Sequence, residues 1–420
     1  VKVLVIGSGA REHAIVTALQ SDPSVSQIVC APGNAGIAAA CATRPVDVSD
    51  PAAITALAVA ETADLVVIGP EVPLVAGAAD ALAAAGVRCF GPTAEAARLE
   101  GSKSFAKDVM AAAGVPTAGS RTCTTPEQVA AALEEYGAPH VVKDDGLAAG
   151  KGVVVTGSRD EAMAHARACL DAGSKVVVEE YLDGPEVSLF CITDGRTVVP
   201  LQPAQDFKRV GDGDAGPNTG GMGAYTPLAW APTGLVDEVV SSVAQPTVDE
   251  MRRRGTPFAG VLYVGLALTS RGTRVVEFNA RFGDPETQSV LAMLQTPLGA
   301  LLGAAADGEL AAHPPLQWHA GASVTVVLAA DGYPAAPRTG DPITVDEPPV
   351  PGTLILHAGT TEVDGEIRSA GGRVLSVVAV GADLAGARTA AYAQIARIHL
   401  RGAHYRSDIA AKAERGEIRL

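Results

Sequence analysis

Short β-branched runs alternate with alanine-rich stretches of helical period along the first hundred residues. Residues 3–6, 27–30, 65–68 and 87–90 read as strands, and 10–20, 51–62 and 74–85 as helices. This βαβα rhythm predicts an α/β fold whose parallel sheet is covered on both faces. Val66-Val67-Ile68 is apolar throughout, as suits a central parallel strand. A helix is predicted over 94–113, stopping at Gly114 with Pro116 beyond it. Residues 120–187 read as a smaller α/β unit, with helices near 126–136 and 159–171 and strands at 140–143, 152–156 and 175–179. A long polar stretch from about 205 to 227 is read as loop, and its density of glycine and charge suits substrate contact better than a linker. His313-Pro314-Pro315 marks a boundary. Short strands at 323–329, 353–358 and 374–380 follow, then a helix near 383–397.

One segment combines this patterning with chemistry. Val275-Val276-Glu277-Phe278-Asn279-Ala280-Arg281-Phe282-Gly283-Asp284-Pro285-Glu286 begins as strand and ends as loop. Strand side chains alternate, so Glu277, Asn279 and Arg281 face one way and Val276, Phe278 and Ala280 the other. The second face suits a core. The first sets two oxygen ligands beside a cation, a good arrangement for magnesium holding phosphates.

Several glycine-rich loops follow strands. Gly7-Ser8-Gly9-Ala10-Arg11-Glu12-His13 opens the first helix, where anions bind. A dinucleotide fingerprint is disfavoured, because the third glycine is absent and Val29-Cys30-Ala31-Pro32-Gly33-Asn34 offers no carboxylate to a ribose. Arg11 and His13 suit a smaller phosphorylated ligand. Pro32-Gly33-Asn34-Ala35-Gly36 and Gly69-Pro70-Glu71-Val72-Pro73-Leu74 lie at the same carboxyl edge of the sheet, where open parallel sheets bind ligands. Lys143, then the glycine-rich turn with Gly146, Gly150, Lys151 and Gly152, can fold over phosphates as a flap. Glu179-Glu180-Tyr181-Leu182, with Glu186 beyond, suits an adenine hinge with a carboxylate at the ribose.

Composition narrows the partners. The chain has 420 residues, 47% of them hydrophobic but only 4% aromatic, so aliphatic side chains must build the cores of two to four domains. A net charge of −15 repels polyanions, so neither nucleic acid nor an anionic membrane surface is expected as partner. The six cysteines, at 30, 41, 89, 123, 169 and 191, match no zinc spacing and fit small hydrophobes in a reducing cytoplasm. No apolar run is long enough for a membrane span, and the first residues do not read as a signal peptide.

These pieces together resemble the phosphoribosylamine–glycine ligase family of the ATP-grasp superfamily. The likeness runs from Gly7 through His13 to Leu356-His357-Ala358-Gly359-Thr360 and Gly371-Gly372-Arg373-Val374. Its most specific matches are residues 145–152, 216–225 and 277–286. The resemblance implies ligation of glycine to 5-phosphoribosylamine with ATP, through an acyl phosphate and without a covalent enzyme intermediate, in purine biosynthesis. It implies a parallel-sheet pre-ATP-grasp domain at 1–101 and a central ATP-grasp domain at 102–120 and 188–320. A nucleotide lid at 121–187 and a small mixed α+β domain at 321–420 complete it. Lys103 and Lys143 then resemble the phosphate lysines, with Lys107 as alternative to Lys103, and the 146–152 turn the flap over ATP. Glu179, Glu180, Leu182 and Glu186 resemble the adenine and ribose site. Glu277 and Asn279 resemble the ligands of Mg2+ or Mn2+. Arg281 and Asp284 would orient glycine and the acyl phosphate, beside Asp206 and the loop of Asn218, Gly221, Met222 and Gly223. Gly9, Arg11, Glu12, His13, Asn34, Glu71 and Pro73 would bind the ribosylamine. A monomer able to touch neighbouring enzymes of the pathway transiently is implied.

Three departures from the family pattern stand out. Asp144 follows Lys143 where a small residue is common, and Phe207 stands where histidine is frequent. The strand at 259–269 carries no further acidic metal ligand. Competing readings are another ATP-grasp ligase, an NAD-dependent oxidoreductase and a nucleotide sensor without catalysis.

Overall fold

The computed structural model describes residues 1–147 and 152–420. Its N-terminal sheet has five parallel strands in the order Ala42–Thr43, Gln27–Pro32, Lys2–Gly7, Leu65–Ile68 and Cys89–Phe90. The order reverses between Lys2–Gly7 and Leu65–Ile68, so the loops after those two strands open a crevice at the carboxyl edge. The strand predicted at 87–90 forms only over its last two residues. The helix predicted over 74–85 forms as Glu71–Val75 and Ala78–Ala84, parted at Gly77, whose φ of +95° is left-handed.

The helix predicted over 94–113 also divides, into Ala94–Gly101 and Lys103–Ala113. Ser102 is extended and its hydroxyl accepts from the Phe105 N–H, a serine N-cap that starts a new helix. The break puts Lys103 at the first position of the second helix and Lys107 one turn on.

Residues from Ser120 to Glu179 form a four-stranded antiparallel sheet in the order Ser120–Cys123, Val176–Glu179, His140–Asp144 and Val153–Thr156. Helices Pro126–Tyr136 and Arg159–Asp171 complete a small core of Cys123, Val129, Leu133, Val142, Ala166 and Val178. The central sheet orders Val198–Pro200, Glu186–Asp194, Ala259–Thr269 and Gly272–Asn279, all antiparallel.

The stretch at 205–227 is more structured than its polarity suggests. Arg209–Gly211 and Ala215–Asn218 pair as a hairpin. Gln205–Asp206 and Gly223–Thr226 join a five-stranded sheet whose other members are Ala322–Ala329, Arg373–Gly381 and Thr353–His357. The last sheet of the chain is therefore built partly from the middle of it. Among the described residues no helix is long and apolar enough to cross a membrane. All six cysteines are free, and four of them are buried.

Candidate active site

The polar face of Gly272–Asn279 lies at the centre of the cleft. The expected alternation is interrupted: Gly265 pairs with Glu277 but Leu266 pairs with Val275, so Val276 is the extra residue of a β-bulge. As a result Val275, rather than Val276, enters the core with Phe278 and Ala280. Glu277 and Asn279 still share the opposite face. The absence of a side chain at Gly265 makes room there, since a Cβ would come within 3.2 Å of Glu277 Cγ.

Among the described residues, the Glu277 carboxylate has no ion pair and the Asn279 amide no hydrogen bond. Burial pushes the Glu277 pKa up, but Lys208, Lys143, Lys103 and Arg281 together pull it below the ordinary value. An ionised carboxylate beside a carboxamide oxygen is a hard-oxygen set that fits a divalent cation. Among the described residues no group of three or more His, Cys, Asp or Glu side chains is placed to hold a metal ion.

Lysines face this strand from two directions. Lys143, at the end of its lid strand, pairs with Glu179 at 2.8 Å and donates to Val276 O at 3.1 Å. Lys103 donates to Gly146 O at 3.0 Å. Burial lowers its pKa, opposed by Glu277. Lys107, the alternative to Lys103, pairs with Glu179 at 3.1 Å. Glu179 is thus held between two lysines, and its carboxylate is not presented to a base. The backbone beyond it is open: the N–H and C=O groups of Tyr181 and Leu182 make no hydrogen bond to described residues. Glu180 pairs with Arg271 at 3.2 Å, and Glu186 with Lys208 at 2.6 Å. Asp144 accepts from the Gly146 N–H at 3.0 Å and from the Ser174 hydroxyl. Burial raises its pKa, yet these bonds bring it below the ordinary value, so its charge braces the flap's first turn. Gly150 and Lys151 lie outside the described residues, and Gly152 accepts from the Asp144 N–H at 2.7 Å.

Asp206 lies beside this group. Burial pushes its carboxyl up to about 7 against the pull of Lys208, and Glu286, Glu186 and Glu277 add to the rise. Phe207 takes a packing role, with Tyr225 at 6.2 Å between ring centroids and the Arg406 guanidinium 4.9 Å above its ring. In the adjacent loop the Met222 side chain is fully buried. Gly221, at φ +115°, lies where a Cβ would meet Pro285 Cδ at 2.4 Å, so only glycine lets this loop approach the 284–285 turn. Gly223 is buried in its strand, while Asn218 ends the hairpin.

Arg373 ties these parts together. It donates to Gly220 O at 2.8 Å and Asp284 O at 3.0 Å, and its charge lies 3.3 Å from Asp284 Oδ1. Gln288 donates to the same Oδ1 at 2.7 Å. Burial raises the Asp284 pKa, but Arg373 and Arg11 bring it below the ordinary value, and Oδ2 faces Gly9. Arg281 does not reach out freely. It pairs with Glu100 at 3.0 Å and Glu71 at 3.2 Å, which bolts the strand's end to the N-terminal domain.

At the N-terminal crevice, the residues expected to bind ligand are largely occupied by one another. The glycine loop wraps Glu12: a Cβ at Gly7 would come within 2.6 Å, and one at Gly69 within 2.0 Å, of its side chain. Glu12 accepts from Gly9 N at 2.6 Å and pairs with Arg11 at 2.5 Å. Arg11 also donates to Phe282 O at 3.1 Å. Asn34 caps the helix Ala35–Ala40 and donates to Ser8 O at 2.9 Å and His357 O at 2.7 Å. His13 Nδ1 accepts the His357 N–H at 2.9 Å, and burial, aided by His357, lowers its pKa to about 4. Pro73 is buried in its short helix. The N-terminal crevice thus draws in Glu100 and His357, and the rest of the site Gln288, Arg373 and Lys208, none of them expected as a ligand-binding residue. His357 and Arg373 lie in the C-terminal stretches that carry the family likeness. Glu100 offered one signal, a carboxylate on the apolar face of its helix.

Comparison with known proteins agrees with this architecture. The phosphoribosylglycinamide synthetase N domain matches residues 1–100, its ATP-grasp (A) domain 101–287 and its C domain 323–412. A phosphoribosylamine–glycine ligase of Streptomyces coelicolor is 65% identical, over 98% of this chain and 99% of that protein. One from Mycobacterium tuberculosis is 59% identical, covering 99% of each. The crystal structure of phosphoribosylamine–glycine ligase from Thermotoga maritima superposes with a TM-score of 0.85 at 34% identity, over 98% of this chain and 100% of that one. The biotin carboxylase domain of a Hydrogenobacter thermophilus 2-oxoglutarate carboxylase, in complex with MgADP and bicarbonate, shares the fold. Its TM-score is 0.74 at 16% identity, over 96% of this chain and 91% of that one.

Proposed function

We propose how this site works on one premise: the chain belongs to the phosphoribosylglycinamide synthetase family and ligates glycine to 5-phosphoribosylamine with ATP. The observation that carries the reading is the Glu277–Asn279 face, unpaired among the described residues and set against Lys103 and Lys143. ATP lies between the lid and this face, with its base edge read by the open backbone of Tyr181 and Leu182. Lys103 and Lys143 neutralise its phosphates. Glu277 and Asn279 would hold the divalent cation, Mg2+ or Mn2+, which would withdraw charge from the phosphate oxygens.

The glycine carboxylate attacks the γ-phosphorus, ADP leaves, and the ribosylamine nitrogen then displaces phosphate from glycyl phosphate. Catalysis is positioning and charge neutralisation. Asp284, ionised by Arg373, turns Oδ2 toward the Gly9 loop and orients an amine. Asp206, near 7, is suited to take the proton that the attacking nitrogen gives up. Arg281 acts by fixing the turn before Asp284. The 218–223 loop and the Gly9, Arg11, His13, Asn34 and Glu71 crevice enclose the ribosylamine. Domains at 1–101, 102–120 with 188–320, 121–187 and 321–420, a cytoplasmic site and a monomer with transient pathway contacts complete the proposal. Glycine labelled with 18O in its carboxylate is the test. One label must appear in the released phosphate, and unlabelled phosphate sinks the acyl phosphate route.

A further inference from the structure

The three lysines of the cleft differ in how fully the protein engages them. Lys107 donates to Thr117 Oγ1 at 2.9 Å and Ala118 O at 3.0 Å, and it forms an ion pair with Glu179 Oε1 at 3.1 Å. Lys143 donates to Val276 O at 3.1 Å and forms an ion pair with Glu179 Oε2 at 2.8 Å. Lys103 donates to Gly146 O at 3.0 Å and has no ion pair among the described residues. Lys107 is therefore the lysine most committed to protein partners, although its spacing from Lys103 made it a candidate for the phosphates. Its scaffold is firm, because the Thr117 hydroxyl donates in turn to Val275 O at 2.7 Å on the strand that carries Glu277.

Glu179 is buried and shared. A buried carboxylate with a single cationic partner holds it fast, because parting them leaves an uncompensated charge. With a second, fixed partner, the first can leave. We propose that Lys107 is a positioning residue for the nucleotide: it keeps Glu179 neutralised so that Lys143 can turn from that carboxylate to a phosphate of ATP. The proposal rests on the reading of Lys143 as a phosphate ligand. In it, Glu179 is the resting partner of Lys143, and ATP competes with that carboxylate for one ammonium.

The test is equilibrium binding of ATP and of adenosine to the full chain and four variants. Lys107→Met should weaken ATP about tenfold and leave adenosine within about twofold, since only the phosphate contact is affected. Removing the competing carboxylate as well, in Lys107→Met/Glu179→Gln, should recover most of the loss, and Glu179→Gln alone should bind ATP at least as well as the unaltered chain. Equal losses of ATP and adenosine in Lys107→Met, unchanged ATP affinity, or no recovery in the double variant overturns the proposal. If Lys107→Met does not fold, the charge-balanced double variant decides, and a selective tenfold loss of ATP there is the overturning result. Lys143→Met separates the two levels. Normal ATP affinity in it sinks the phosphate role of Lys143 itself, whereas a loss there with none in Lys107→Met overturns only the role of Lys107.

Discussion

The two halves of the cleft treat their polar groups in opposite ways. At the N-terminal crevice, Glu12, Arg11, Asn34 and His13 are engaged with one another, with backbone, or with His357. On the central strand, Glu277 and Asn279 face cations without touching one among the described residues. The first region is a finished structure, whose polar side chains hold loops and domains in place. The second is completed only by what binds there. Polar residues in a site therefore fall into two kinds, and free hydrogen-bonding capacity distinguishes them better than residue type does.

The sharpest way to break this contrast is Glu277→Ala. Turnover should fall by about 10³-fold or more with the melting temperature essentially unchanged, because the carboxylate supports ligand and not fold. Near-normal rates at saturating Mg2+ would remove Glu277 from the metal. The converse variant, Glu12→Ala, should cost about 3 kcal/mol in chemical denaturation, since it strands Arg11 and unpacks the glycine loop. Stability equal to that of the unaltered chain would show the crevice to be no more self-supporting than the strand.

A smaller, pH-dependent effect probes the His13–His357 junction. The folded pKa of His13, about 4, lies below the unfolded 6.5. The unfolded chain binds more protons between those values, so the contribution is fully present above pH 6.5 and is lost as pH falls toward 4. It amounts to about 3 kcal/mol at most, and His13→Gln should flatten the denaturation profile across that window. Asp206 has the opposite sign. Its carboxyl, raised to about 7, favours the folded state in its protonated form, so the penalty of ionisation grows from pH 4 upward and is complete above 7. Asp206→Asn should raise the melting temperature of the ligand-free chain at pH 8 by about 2 °C and leave it unchanged at pH 4. Equal shifts at both pH values would contradict this.

Local signals carried most of what could be read in advance. The rhythm of the first hundred residues gave the parallel sheet, and strand alternation put Glu277 and Asn279 on one face. The bulge at Val276 escaped, because it depends on the opposing Gly265 and not on the strand's own residues. Glu179 looked like the start of a hinge, yet its carboxylate is claimed by lysines from two other elements. The strands at 205–206 and 223–226 were read as loop. They are too short to show a period, and their sheet partners lie far along the chain.

That last arrangement bears on how the protein is made. Gly223–Thr226 pairs with Ala322–Ala329, whose residues leave the ribosome roughly a hundred positions later, a long loop to close. During synthesis the earlier strand must wait with one edge unpaired, although the N-terminal sheet and the lid can already be folded. The interval between the two strands is thus one in which the nascent chain is open to wrong pairing. A chain released before residue 322 would lack the partner that covers this edge.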